Sequence, residues 1–315
     1  MANSPILCVG GENLIDHVTR NEAVSALPGG SPFNVAMALG RQEANVHYVT
    51  PISTDIWGDT LSDTLTASHV TLSGGRVDAP TTIARVTLIN GIPSYEFERT
   101  GTAERAVTVA SLSKAMPPET AALHTGSLAV SEGADGQAWE DICAHTHDAG
   151  KLVSFDPNVR LSVIGDPDSY RDRVFRMLAK THLLKLSDED LEGLCPGQSQ
   201  AEALAMVRTK TLAPLVVMTK GPNGAIAWGA EGEVAVPAPI VSNLVDTVGA
   251  GDTFMATLLS SLAQMGALSP DALANLDRSQ VETLLGRSGM AAAINCGRAG
   301  CNPPTLSELD AVLTA

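Results

Sequence analysis

Apolar positions recur along this chain in two alternating rhythms. Short runs rich in β-branched and aliphatic residues stand at 6–9, 46–50, 121–126, 152–155, 182–185 and 214–219. Between most of them the apolar spacing lengthens to the three-and-four repeat of a helix, as at 34–41, 137–149, 170–179 and 201–210. Strands alternating with helices build βαβ units, so the pattern predicts an α/β fold with a doubly wound, mostly parallel sheet flanked by helices. One segment departs from it. Residues 83–99 alternate with a period of two on both sides of Asn90-Gly91, the strongest short signal for a hairpin turn. A small antiparallel β lid is therefore expected to interrupt the parallel sheet, although an edge hairpin with no moving part fits the same pattern.

Length and composition place limits on what surrounds this core. With 315 residues, 44% of them hydrophobic and 17% charged, the chain can bury a large α/β core. We read residues 1–315 as one domain, with a lid drawn from about 12–28 and 83–104. The formal net charge of -15 would repel a polyanion over most of the surface, which argues against nucleic acid or an anionic membrane as partner. No apolar run is long enough to span a bilayer and no basic leader precedes the first strand, so a cytoplasmic location is expected. The five cysteines, Cys8, Cys143, Cys195, Cys296 and Cys301, are odd in number and form no Cys-x-x-Cys pair. They are expected to be reduced thiols, mostly buried. His145 and His147, with His124 upstream, stand too close in sequence to share a helix face, and a solvated surface is expected of them rather than a metal site.

In a doubly wound sheet, ligands bind beyond the carboxyl ends of the strands. Polar residues and glycines gather at those places: Gly10-Gly11-Glu12-Asn13-Leu14-Ile15-Asp16 and then Pro28-Gly29-Gly30-Ser31-Pro32-Phe33-Asn34, Asp156-Pro157-Asn158-Val159-Arg160, Lys185-Leu186-Ser187-Asp188-Glu189-Asp190, and Thr219-Lys220-Gly221-Pro222-Asn223-Gly224. These are groups that hydrogen-bond hydroxyls and neutralise phosphates.

The run Asp246-Thr247-Val248-Gly249-Ala250-Gly251-Asp252-Thr253-Phe254 combines nearly bare backbone with a carboxylate ahead of an apolar helical pattern. Gly249, Ala250 and Gly251 let amides approach an anion at the positive end of a helix. Asp252 in the first turn is placed to take a proton from a hydroxyl attacking phosphorus. A tight turn with Asp252 as the N-cap of a buried helix fits the same residues.

Over essentially its whole length the chain resembles the PfkB (ribokinase-like) family of carbohydrate kinases. Gly29-Gly30-Ser31-Pro32-Phe33-Asn34-Val35-Ala36 is similar to the family's N-terminal glycine-rich signature, and residues 246–254 to its C-terminal one. The resemblance implies phosphorylation of a sugar or nucleoside hydroxyl with MgATP. It makes Asp252 the base and Gly249, Ala250 and Gly251 the anion hole. It places Asp16, Gly30, Asn34 and Asn158 at the sugar, with Arg99 in the lid above it. Thr219, Gly221 and Gly224 match the nucleotide turn and Asn295 the adenine cover, while Lys185 and Arg160 would neutralise nucleotide phosphates. Many relatives carry Asn-x-x-Glu where this chain has Ser187 and Asp190, so Asp190 is expected to reach magnesium only through water. Potassium, which several relatives bind, would lie by Asp246 and Val248 with the carbonyls of Asn295, Arg298 and Gly300.

Residues 184–191 and 155–160 look most like those of bacterial fructokinases, which implies ATP and fructose giving fructose 6-phosphate and ADP. Alternatives are 2-keto-3-deoxygluconate kinase and other ketose or ribose kinases. A nicotinamide oxidoreductase would need Gly-x-Gly-x-x-Gly after the first strand, and a P-loop enzyme its Gly-Lys-Ser/Thr signature; neither is present. A non-catalytic sugar or nucleotide sensor is the alternative from another class, and a homodimer through the lid is common among the relatives.

Overall fold

The computed structural model describes residues 4–20, 23–89 and 92–314, so the Asn90-Gly91 turn lies outside the described residues. In chain order, β1 (Ile6–Val9) leads to β2 (Leu14–Arg20), β3 (Ala23–Gly29), α1 (Ser31–Arg41), β4 (Asn45–Tyr48), β5 (Ile52–Ser53) and α2 (Ile56–Ala67). There follow β6 (Thr71–Leu72), β7 (Arg76–Val77), β8 (Thr82–Ile89), β9 (Ile92–Glu98), α3 (Val109–Ala115), β10 (Thr120–Gly126) and α4 (Ala134–Asp148). The chain continues through β11 (Leu152–Asp156), α5 (Pro167–Leu178), β12 (Leu183–Ser187), α6 (Asp188–Leu194), α7 (Gln200–Lys210), β13 (Leu215–Thr219), β14 (Ala225–Gly229) and β15 (Gly232–Val236). It ends in α8 (Ala250–Gln264), α9 (Pro270–Ala274), α10 (Arg278–Cys296) and α11 (Leu306–Leu313).

Nine strands form the main sheet in the order β15-β14-β13-β12-β11-β10-β1-β4-β6. All pairs are parallel except β13/β14 and β14/β15, which close one edge as antiparallel ribbons. The expected doubly wound sheet is therefore present. Its central parallel strands, β1 and β10 to β13, are buried on both faces, and successive residues feed opposite cores, as parallel strands under two helix layers must. Leu7 and Val9 join the cluster packed with α1, α2, α8 and α10, while Cys8 between them joins the one packed with α3 to α7. Val217 and its neighbours Val216 and Met218 divide in the same way.

A second, smaller sheet has the order β3-β2-β8-β9. It is antiparallel at both flanks, with β2 and β8 running parallel between them. The hairpin of residues 83–99 is its outer half. A two-stranded β5/β7 ribbon completes the set.

Helix starts follow local chemistry. Ser187 and Asp190 close a capping box at α6, as do Ser199 and Glu202 at α7 and Asp277 and Gln280 at α10, satisfying amides that have no partner inside the helix. No helix among the described residues is long and apolar enough to cross a membrane.

From β1 the chain builds β4 on one side of the sheet and β10 to β13 on the other, so the strand order reverses beside β1. Doubly wound sheets bind ligands in that crevice. Gly11 leaves β1 with its amide bonded to Thr50 Oγ1 at 2.8 Å, and Tyr48 OH donates to the Gly11 carbonyl at 2.9 Å, which ties the two exits together.

Candidate active site

Two helix N-termini meet over the crevice. The chain enters α8 through Gly249, whose φ of 73° is left-handed; a β-carbon there would meet Cys301 Sγ at 2.3 Å, so glycine alone fits. The Ala250 amide donates to the Thr247 carbonyl at 3.2 Å and closes the turn. Gly249, not Asp252, is the N-cap, which removes the simple capping alternative. Asp252 lies in the first turn and is 8% exposed. Its Oδ1 accepts from Ser31 Oγ at 2.7 Å and its Oδ2 from Asn34 Nδ2 at 2.8 Å. Burial raises its proton affinity, and the bonds from Ser31 and Asn34, with the charges of Lys185 and Arg160, work against that rise.

Ser31 and Asn34 hold their places because of what precedes them. Gly30 has a φ of 105°, and a β-carbon on it would lie 2.5 Å from the Glu12 carbonyl oxygen. Glu12 Oε1 accepts the Ser31 amide at 3.0 Å. This buried carboxyl is pushed up to about 7, chiefly by loss of solvent. Among the described residues its Oε2 and Asn34 Oδ1 are buried without a hydrogen-bond partner. Asp16 on β2 packs against Gly29, where a β-carbon would meet its Oδ2 at 2.5 Å, and burial pushes it up to about 6.

The two expected phosphate-neutralising residues differ in burial, though the charge of each reaches Asp252. Lys185 is 4% exposed, and its Nζ donates to Asp156 Oδ2 at 2.7 Å. Arg160 is exposed, with Nη1 bonded to the Val159 carbonyl at 3.0 Å. Asn158 is half-buried with a φ of 37°, its amide bonded to Asp156 Oδ1 at 3.2 Å. Asp190 is engaged at both oxygens: Oδ1 accepts the Val159 amide at 2.6 Å, and Oδ2 accepts the Ser187 amide at 2.7 Å and hydroxyl at 2.8 Å.

Arg99 differs most from its expected part. Its guanidinium pairs with Glu104 at 2.9 Å and donates to Ser131 Oγ at 3.0 Å and the Leu128 carbonyl at 3.1 Å. These bonds anchor the end of β9 to the body of the molecule.

On the far side of the crevice, Thr219 ends β13, and Gly221 and Gly224 take φ values of 51° and 88° in the turn that follows. A β-carbon on Gly224 would strike the Val236 carbonyl at 2.1 Å, so this glycine lets β15 close on the turn. Asn295 is fully buried; its Nδ2 donates to the Val248 carbonyl and its Oδ1 accepts the Asn302 amide, both at 2.8 Å. Asp246 accepts the Val248 amide at Oδ1 and the Gly300 amide at Oδ2, both at 3.0 Å. Asn295 thus braces the loops before and after it rather than lying open to a ligand.

Sequence reading singled out neither Ser31, Glu12 nor Asp156 as site residues. The signal was present for the last two, Asp156 as the carboxylate that ends β11 and Glu12 as the first carboxylate after β1. Of the histidines, His145 is exposed and His147 stacks on His182 with centroids 4.8 Å apart, while His124 is 1% exposed and bonded to Ser154, so it is a core residue and not part of a solvated surface. No group of three metal-ligating side chains occurs among the described residues. All five cysteines are free.

Comparison with known proteins agrees with this arrangement. The family model for pfkB family carbohydrate kinases matches residues 8–308. A fructokinase of Rhizobium leguminosarum bv. trifolii is 39% identical over 280 residues, 86% of this chain and 84% of that protein. One from Klebsiella pneumoniae is 31% identical, covering 84% and 86% respectively. The fold superposes on a fructokinase with bound ATP from Xylella fastidiosa with a TM-score of 0.90 at 24% identity, over 99% of this chain and 98% of that one. A clamped carboxylate at a glycine turn, a doubly wound sheet with a small second sheet and a match over nearly the whole length lead to one assignment: the chain belongs to the pfkB family of carbohydrate kinases.

Proposed function

We propose that this protein is an ATP-dependent fructokinase, transferring the γ-phosphoryl group of ATP to a hydroxyl of fructose to give fructose 6-phosphate and ADP. The observation that carries the reading is the buried Asp252 carboxylate, held by Ser31 and Asn34 beside the glycine turn at the start of α8. As the sugar oxygen bonds to phosphorus and the bond to the ADP oxygen breaks, the hydroxyl proton passes to Asp252. Burial raises the proton affinity of this carboxylate, which suits a base working near neutral pH. Bare backbone at Gly249 and Gly251, with the positive end of α8, faces the charge developing on the phosphoryl group.

Asp16, and Asn34 through its unpartnered Oδ1, bind sugar hydroxyls in this reading, while Gly30 allows α1 to start close to them. Asn158 stands at the rim of the same cleft. ATP lies along Thr219, Gly221 and Gly224, with Arg160 at the mouth, and Asn295 acts indirectly by bracing the adjoining loops. Arg99 sets the position of the lid through Glu104.

Magnesium enters as a companion of the nucleotide phosphates. Because both Asp190 oxygens are engaged by protein donors, the residues present do not fit a directly ligated ion. A potassium ion at Asp246, the Val248 carbonyl and the loop around Gly300 would meet a loop already closed by protein hydrogen bonds, and would add charge to it rather than build it. A homodimer joined through the lid sheets completes the reading.

The test is a coupled assay of ADP release across a sugar panel, with Asp252→Asn alongside. Fructose should be the preferred acceptor, and the variant should bind both ligands yet lose about 10²- to 10⁴-fold in kcat, the range that general-base catalysis contributes. Silence on every sugar would refute the kinase; preference for ribose or a ketohexonate would replace fructose; near-normal turnover of the variant would refute the base.

A further inference from the structure

Helix α1 starts without a cap of its own. Gly30 stands at its N-cap and brings no side chain to the free amides, and Pro32 in the first turn has no amide to offer. A larger residue at position 30 could not serve, because its β-carbon would lie 2.5 Å from the Glu12 carbonyl oxygen. The part falls to Glu12, 19 residues earlier, whose Oε1 accepts the Ser31 amide at 3.0 Å. A carboxylate there also suits the positive end of the helix.

Glu12 is 2% exposed and is itself held in place. The Gly11 amide donates to Thr50 Oγ1 at 2.8 Å, and Tyr48 OH lies 2.9 Å from the Gly11 carbonyl oxygen and 3.3 Å from that of Glu12. On the other side, Asn13 Nδ2 donates to the Pro51 carbonyl at 3.2 Å. The end of β4 and the residues after it thus pin the chain before and after Glu12. Burial raises the proton affinity of its carboxyl, its own amide, the Ser127 hydroxyl and the Arg99 guanidinium work against the rise, and Glu104 adds to it. Ser31 is therefore tied to two carboxylates at once, its amide to Glu12 and its hydroxyl to Asp252 Oδ1 at 2.7 Å. Backbone and side chain of one residue span the gap, so fixing the amide fixes the hydroxyl.

We propose that Glu12 is a positioning residue for the base: by holding the Ser31 amide it sets the Ser31 hydroxyl against Asp252. Its effect passes through Ser31. The inference rests on the kinase reading and deepens it, since it assigns the orientation of Asp252 to a residue outside both glycine-rich segments.

The acid limb of the kcat/KM profile tests it, read by coupled ADP release with fructose varied at each pH. Glu12→Ala frees the Ser31 amide, weakens the bond to Asp252 and should move the limb to higher pH by about 0.5–2 units. Loss of a neighbouring negative charge would by itself move the limb to lower pH, so the direction separates the hold from the charge. Glu12→Gln keeps an oxygen for the Ser31 amide and does not titrate; it should leave the limb within about 0.3 unit of wild type. Ser31→Ala combined with Glu12→Ala should move the limb no further than Ser31→Ala alone, because both act through one hydroxyl. KM for ATP should stay within about threefold throughout. Should the alanine variant fail to fold, Glu12→Asp, whose carboxylate stops one methylene short of the amide, should show the same upward displacement. A limb that stays or falls in that variant, a glutamine variant displaced as far as the alanine one, or additive displacements in the double variant would each overturn the inference and leave the kinase reading standing. Absence of turnover in the wild type on every sugar overturns that reading and this inference together.

Discussion

Removing the Ser31 hydroxyl acts directly on the clamp around Asp252. Burial raises the proton affinity of Asp252, and the bonds from Ser31 Oγ at 2.7 Å and Asn34 Nδ2 at 2.8 Å oppose that rise. A hydrogen bond to a charged group contributes about 1.5–3 kcal/mol, and about 1.4 kcal/mol corresponds to one pH unit. Ser31→Ala should therefore move the acid limb of the kcat/KM profile by about 1–2 pH units. The hydroxyl donates to the carboxylate, so its loss favours the protonated acid, and a protonated Asp252 cannot accept a proton. The limb must move to higher pH, with turnover depressed near neutrality and recovering in alkaline buffer. Coupled ADP release measured across the pH range, with fructose varied at each point, reads the limb directly. General damage to the site would lower the whole curve without displacing it. A limb that stays in place, or moves to lower pH, would refute the reasoning.

Three further outcomes follow from the same geometry. Gly30→Ala forces a β-carbon against the Glu12 carbonyl at a φ of 105°; it should destabilise the protein by at least about 1–3 kcal/mol in urea unfolding and lower kcat by shifting Ser31 and Asn34. Arg99→Met leaves Glu104 buried without its partner and should lower stability by about 3–5 kcal/mol, a loss that Glu104→Gln in the same chain should partly restore; unchanged unfolding in the single variant would contradict the anchoring role. Burial pushes His124 down to about 3 from the ordinary 6.5, so its neutral form stabilises the fold above about pH 6.5 and that contribution is lost as pH falls toward 3, at up to about 1.4 kcal/mol per pH unit. His124→Gln should remove this slope, read as the difference between the two proteins because Glu12, Asp16 and Asp156, all raised by burial, titrate in the opposite sense; identical slopes would rule the effect out.

The sheet was legible because buried parallel strands and amphipathic helices leave periodic signals. Strand β1 was placed to the residue, and the alternating segments on either side of Asn90-Gly91 pair antiparallel in the small sheet as their pattern implied. Helix α1 starts at Ser31 rather than Asn34, because its first turn presents Ser31 and Pro32, which carry no apolar period. Strands β14 and β15 were missed, since an antiparallel edge ribbon contributes short runs that resemble loop. At the site, Asp252 and the glycine turn were legible as chemistry crowded into a few residues. Lys185 was legible as a cation but not as half of an ion pair, because its partner lies 29 residues away and only strand register brings them level. Arg99 was legible as a cation of that segment but not through its partners: Glu104, Ser131 and the Leu128 carbonyl converge on it through tertiary packing that sequence spacing does not encode.

The clamp on Asp252 also sets a constraint on the order of events during folding. Its donors, Ser31 and Asn34, are 221 and 218 residues away from the carboxylate along the chain. At the other end of the same helix pair, Gln42 bonds Thr257 at 2.8 Å and accepts from Ser260 at 2.5 Å. Contacts of such wide sequence separation form late, after the cost of closing the intervening loop has been met. A nascent chain therefore cannot assemble its base until α8 has left the ribosome and docked on α1. In refolding, recovery of turnover should lag behind recovery of helical signal, and the delay would measure the joining of two segments that stand 221 residues apart at Ser31 and Asp252.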